Sequence, residues 1–321
     1  MTADLRIGGL LPNVGVAASA EAISTFATES ERLGLHSLWV GDHLLLAETQ
    51  DARYPYNDTG DYVVPSDRNF LEAFTTLTWV AARTQAIRLG VSVCIAPYRH
   101  PVQVAKILGT IGFLAPGRMV FGVGTGWLED EFDGLGVPFA ERNTRTADLV
   151  RFLRSAGEAS GAIPIVNDGF PTRRMFLRPA PEADLPVWIG GNGPLARRRA
   201  ARLGDAWHPA LHRQSPAQLR DEMQEVRELA AGFGRDPDKL ELTIFVGVRS
   251  LRRPTSGPGN GACCAARPGP SSSICWPMAR PVSPRPSCRS AARSTADSPS
   301  SPSWPTPACH SHRPERGVIR A

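Results

Sequence analysis

Five short stretches hold the side chains that could do chemistry. "WVGDH" ends on Asp42 and His43, a carboxylate beside an imidazole. A carboxylate accepts hydrogen bonds from N–H and O–H groups, and an imidazole passes protons near neutrality. "VCIAP" holds Cys94 and Ile95, and "GVGTGW" holds Thr125, Gly126 and Trp127. "WIGGN" holds Gly190, Gly191 and Asn192, and "DAWHP" holds His208. No phosphate-loop motif is complete. "GVGTGW" lacks the following Lys, and Glu129 stands where G-x-G-x-x-G needs its last Gly. Gly190 and Gly191 permit close backbone approach, and free N–H groups at a helix start attract anions.

Each stretch has a plainer reading beside it. Asp42 can cap a loop while His43 lies on the surface. Cys94 can be an ordinary buried strand residue. It is not expected to be a nucleophile or redox thiol, because no His/Cys pattern surrounds it. Arg197, Arg198 and Arg199 are successive and point in different directions, which suits a solvated helix face. Trp207 and His208 can simply wall a pocket.

These stretches need strands to carry them. Seven β-rich runs, at 5–12, 36–43, 87–97, 118–127, 185–192, 205–209 and 240–248, alternate with helical patterns. The helices are expected over 19–33, 70–84, 102–114, 143–156, about 194–203 and 216–232. In the first, Ala22, Phe26, Ser30 and Leu33 would share one side, closed by Gly34. Residues 157–184 read as irregular. The Tyr/Pro/Asp-rich stretch 46–69 is too long for a connector and reads as a loop over a pocket. Repeated strand–helix units imply parallel pairing with right-handed crossovers. Seven in one domain fit an α/β fold of the (β/α)₈ TIM-barrel kind with its last unit missing.

That unit should follow residue 249, and there the pattern stops. Residues 250–321 contain 13 Pro, 14 Ser, 10 Arg, 9 Ala and 5 of the 6 Cys. So few aliphatic residues cannot offset the entropy of ordering the segment, which reads as a disordered, low-complexity tail. The chain divides into a barrel domain, 1–249, and this tail, 250–321. The cysteine spacings do not match a zinc site, so no metal is expected. Whole-chain Arg outnumbers Lys 34 to 2, as in a GC-rich genome, and out-of-frame GC-rich DNA gives Arg, Pro, Ala, Ser, Gly and Cys. A frameshift near residues 249–252 accounts for the tail, and a genuine low-complexity tail is the alternative.

The overall charge of +5 belongs to the tail. Residues 1–249 carry 26 basic and 29 acidic side chains, a net −3. The domain is therefore not read as a nucleic-acid binder, and the tail lacks interleaved aromatic platforms. No run of about 18 apolar residues suggests a membrane span, and "MTADLRIGGL" is not a signal peptide. One thiol in the domain suits the cytosol, so a cytoplasmic protein is expected.

Taken together, "WVGDH", "SVCIAPYRHP", "FGVGTGW", "PVWIGGN" and "RLGDAWHP" resemble the luciferase-like monooxygenase family over residues 5 to about 249. The closest likeness is to its F420-dependent oxidoreductase branch. The resemblance implies a bacterial-luciferase-type barrel that binds coenzyme F420, or alternatively FMN, at the strand C-terminal face. It places Asp42 and His43 beside the cofactor ring, with His43 as the catalytic acid or base. It places a bulge with a non-proline cis peptide at Cys94–Ile95, under the ring. It brings the backbone of Thr125 and Gly126 to the cofactor, and Gly190, Gly191 and Asn192 to its phosphate. In one sugar-phosphate dehydrogenase branch a catalytic Glu follows the "GTG" turn, and here Trp127 takes that place. The implied activity is hydride transfer between reduced deazaflavin and a small substrate, apolar or carbonyl-bearing. A catalytically inactive, truncated barrel is the contrasting expectation. A homodimer is the one protein partner that the resemblance leaves open.

Overall fold

A computed structural model of the chain describes residues 5–246, apart from 50, 51, 63, 168, 169, 212 and 213. The expected tail at 250–321, with its five cysteines, lies outside the described residues.

Seven strands form one parallel sheet in the order β1 (Gly8–Leu10), β2 (Ser37–Val40), β3 (Arg88–Ile95), β4 (Met119–Gly124), β7 (Val187–Gly190), β8 (Ala206–His208) and β9 (Glu241–Leu242). Six of the helices between them are α1 (Ala20–Arg32), α2 (Ala73–Ala81), α3 (Pro101–Leu114), α5 (Arg142–Glu158), α6 (Pro194–Leu203) and α7 (Pro216–Gly232). Each follows a strand, as parallel pairing requires. Their starts are set by local chemistry. Ser19 caps α1 by accepting from the Ala22 amide, and Ser215 and Gln218 form a reciprocal capping box on α7. Pro opens α3, α6 and α7, where its missing N–H costs nothing.

The sheet is curled. Strands β2 and β7 are not neighbours, yet Trp39 and Trp188 stack across the interior with ring centroids 4.7 Å apart. His208 of β8 lies 5.9 Å from Trp39 and 5.5 Å from Trp188. Gly90 has no side chain because a Cβ there would overlap the Trp39 ring. The outward side chains of the strands meet the helices in one continuous core, including Leu38, Val40, Leu89, Val91, Phe121 and Ile189. The fold is thus an arc of the (β/α) barrel. Among the described residues β1 and β9 are its two ends, with Leu5, Ile7 and Ile244 exposed beside them. Arg6 and Glu241 approach within 4.0 Å across that gap.

Two local expectations are corrected. In α1 the buried stripe is Ile23, Ala27 and Ser30, and Leu33 is exposed, because the helix is rotated by about one position. Residues 157–184 are not wholly irregular. They hold an antiparallel hairpin of β5 (Ile163–Asn167) and β6 (Phe170–Met175), outside the main sheet. A further short helix, α4 (Glu129–Gly134), lies between β4 and α5. No helix among the described residues is long and apolar enough to cross a membrane.

Candidate active site

Strand alternation decides what each residue at the end of β2 can do. Trp39 points into the barrel, so Asp42 points outward and His43 inward. The Asp42 carboxylate has no exposed surface. Arg99 grips it through two bonds, of 2.7 and 2.8 Å, and the Ile95 amide donates to Oδ2 at 2.9 Å. The same guanidinium reaches Glu72, the cap of α2, at 3.1 Å. Burial opposes the charge on Arg99, and the bond to Asp42 more than offsets it, so its pKa is raised. Asp42 therefore ties the ends of β2 and β3 together and offers no surface to a ligand.

His43 sits among aromatic rings. Tyr62 lies at 5.2 Å, Phe70 at 5.3 Å and Trp127 at 6.1 Å between centroids. Its Nδ1 is 2.6 Å from Oε2 of Glu131, whose carboxylate is fully buried. Tyr98 donates its hydroxyl to the same oxygen at 2.8 Å. The other oxygen, Oε1, accepts from the amides of Leu44 and Leu45 at 2.6 and 3.1 Å. Burial disfavours the Glu131 carboxylate, but the His43 bond and the two amides outweigh it, holding the pKa below its ordinary value. An ionised Glu131 accepts only, so Nδ1 carries the proton, and the tautomer follows from that partner. In the neutral imidazole Nε2 then keeps its lone pair, and it makes no hydrogen bond among the described residues.

Glu131 was not among the residues singled out from sequence. Its signal was local. Leu128 and Phe132, at i and i+4, are fully buried, and Glu131 lies three residues after Leu128, on the same face. An acid on an inward face calls for a partner.

The remaining residues fall around this pair. The non-proline cis peptide is at Ser92–Val93, not Cys94–Ile95, and the ladder to β4 slips between Val91 and Cys94. Cys94 consequently faces the outer core, wholly buried, with Arg99 Nη1 at 3.8 Å. Burial raises its thiol pKa well above the usual range, so the group is inert. Ile95 packs against Tyr98 and Phe132, beside Gly126.

Val93 explains the glycines of two strands. A Cβ on Gly124 would stand 2.6 Å from Val93 Cγ2, and one on Gly190 2.8 Å from Cγ1. Val93 thus occupies the space that these glycines vacate. Gly126 and Gly191 have φ of +79° and +112°, which a side chain would strain. Thr125 is half-buried and lies in the chain between β4 and Gly126. Asn192 turns its amide to the backbone of Ala210, donating at 2.8 Å and accepting at 3.0 Å. Its side chain is committed, and what remains for a ligand is the backbone entering α6.

The arginines of α6 do not form a solvated face. Arg197 bonds the Asn192 carbonyl and pairs with Glu222 and Glu225 of α7. Arg199 is buried and donates to Asn143, and Arg198 lies over the Phe233 ring. His208 is held on both sides, by Ser92 Oγ at 2.9 Å and Thr243 Oγ1 at 2.8 Å. Burial drives its pKa down to about 4, so it is neutral at pH 7.

The stretch 46–69 folds over this end of the barrel. Its tip is self-bonded, with the Tyr54 amide on the Gly60 carbonyl at 2.7 Å and the Gly60 amide on Asn57 at 2.7 Å. Tyr54, Tyr62 and Trp127 form a triangle of rings with centroids 5.2 to 5.3 Å apart. A cavity of about 260 Å³ opens inside the loop, lined by Glu48, Asp61, Tyr62 and Val64 among others. It adjoins the aromatic cluster through Tyr62.

Comparison with known proteins agrees with this geometry. A sequence description of luciferase-like monooxygenases matches residues 6–253. The chain is 30% identical over 264 residues to the F420-dependent glucose-6-phosphate dehydrogenase of Kineococcus radiotolerans, spanning 74% of this chain and 73% of that one. It is 30% identical over 195 residues to an uncharacterized protein of Mycobacterium tuberculosis, spanning 59% and 67%. In fold it resembles an F420-dependent secondary alcohol dehydrogenase solved with an F420-acetone adduct, at a TM-score of 0.60 and 21% identity, over 74% of this chain and 68% of that one. The strand order, the curled parallel sheet and the matched span lead to one conclusion: the chain belongs to the luciferase-like monooxygenase family.

Proposed function

We propose that this protein is an F420-dependent oxidoreductase that moves a hydride between the deazaflavin and a small organic substrate, with His43 handling the substrate proton. The carrying observation is the 2.6 Å bond from His43 Nδ1 to a buried, ionised Glu131. The F420 assignment draws on the K. radiotolerans relative, which is named for that cofactor.

The residues present fit such a group. Gly124 and Gly190 carry no bulk, and Val93 lays one aliphatic side chain across them, a suitable floor for a flat ring. The Gly191–Gly193 turn brings the Leu195 amide at the start of α6, unbonded among the described residues, to the same end, where an anionic tail is favoured. When bound, F420 supplies the two-electron hydride carrier. His43 Nε2 accepts the hydroxyl proton of an alcohol as its C–O bond becomes a carbonyl, and returns it in the reverse direction. Glu131 stabilises the imidazolium that forms. Tyr62, Phe70 and Trp127 keep water from the proton path.

Equilibrium titration of the purified chain with F420 and with FMN tests the reading. F420 should bind saturably and more tightly than FMN. Binding of FMN alone, or of neither, contradicts it.

A further inference from the structure

We infer, resting on the function proposed above, that the substrate is an uncharged apolar or aromatic alcohol or carbonyl compound, and that phosphorylated substrates are excluded. Three observations carry this. First, besides Glu131 on Nδ1, the groups touching the His43 ring are Tyr62, Phe70 and Trp127, all aromatic. A substrate hydroxyl delivered to Nε2 must pass its carbon skeleton among them, and apolar surface gains there from leaving water. Second, the buried Arg99 side chain at this end of the barrel is taken by Asp42 and Glu72, and is not free to form the bidentate contact that a phosphate wants. Third, the covering loop carries charge of the wrong sign. Residues 44–69 hold five carboxylates against two arginines, and Glu48 and Asp61 line its cavity. A dianion approaching that surface is repelled, which is discrimination by an unfavourable element as well as a favourable one.

Trp127 is the residue on which this turns. It touches both the His43 ring and the loop tyrosines, so it joins the catalytic side chain to the cover. Tyr54 stands one ring further out, against Trp127 and Tyr62, with no ring contact to His43 among the described residues.

The test is calorimetric titration of F420-saturated protein with acetophenone and, separately, with glucose 6-phosphate. Acetophenone should bind saturably, and its dissociation constant should rise tenfold or more in Trp127→Ala. Tyr54→Ala should weaken it in the same direction by a smaller factor, and serves if Trp127→Ala does not fold. Glucose 6-phosphate should give no saturable heat. Saturable glucose 6-phosphate binding, no acetophenone binding, or acetophenone affinity unmoved by both substitutions would each overturn the inference. Failure to bind F420 would instead overturn the function proposed above. The same titrations on the cofactor-free chain would then decide the aromatic site on its own.

Discussion

Asp42 and His43 are adjacent in the chain and face opposite sides of the sheet. Asp42 is sealed outward by Arg99 at 2.7 and 2.8 Å, and His43 turns inward to Glu131 at 2.6 Å. The outward member is a clamp between two strand ends, and the inward one is the chemical group. Arg99→Met would leave the Asp42 carboxylate buried without its partner and should destabilise the protein by about 3–5 kcal/mol. Adding Asp42→Asn should recover much of that loss. Urea unfolding of the single and double variants measures it, and additive losses would show that the two residues are not coupled.

Much of this was legible in the sequence. The strand periodicity and the caps place the seven parallel strands, because each apolar run is bounded by a helix start or stop. The rest was hidden by side-chain direction, by a bulge and by burial, none of which residue types display. "DH" reads as a facing pair, yet alternation splits it. The bulge at Ser92–Val93 turns Cys94 outward, so the thiol leaves the site and Val93 enters it. The glycines of "GVG" and "IGG" look like ligand-approach residues, yet Gly124 and Gly190 leave room for a valine of another strand. Glu131 was hidden in an acidic run of four charges, where only burial separates one carboxylate from its neighbours.

The Val93–Gly190 fit makes a second prediction. Gly190→Ala places a methyl within 2.8 Å of Val93 Cγ1 and should cost about 1–3 kcal/mol by overpacking. Val93→Ala in the same chain should relieve most of it. Thermal melts of the two single variants and the double would report the coupling, and a Gly190→Ala variant as stable as the parent would refute the fit.

His208 gives a pH signature. Its folded pKa of about 4 lies below the unfolded value of 6.5, so the unfolded chain takes up the proton first as pH falls. Stability from this group is full above about pH 6.5 and declines towards pH 4 at about 1.4 kcal/mol per unit. Unfolding measured at pH 7.5, 5.5 and 4.5 should show a flatter acid limb in His208→Asn than in the parent. Parallel limbs would mean that His208 is not held neutral.

Glu131 acts through His43 and should be read kinetically as a positioning residue. Glu131→Gln keeps an acceptor for the Leu44 and Leu45 amides but presents N–H to Nδ1. It should lower kcat by about 10²–10⁴-fold, the scale of a lost general base, and leave F420 affinity within about threefold. Its pH–rate profile should lose the limb assigned to His43. A change confined to KM would place Glu131 in binding.

The most direct test needs no substrate. Nitrogen NMR of the histidine-labelled protein at neutral pH separates a protonated ring nitrogen from one with a lone pair, and the His43 signals are assigned by their loss in His43→Asn. The account predicts that His43 carries its proton on Nδ1, towards Glu131, with the lone pair on Nε2, and that Glu131→Gln reverses the two. A lone pair on Nδ1 in the parent protein, or a tautomer indifferent to Glu131→Gln, would contradict it.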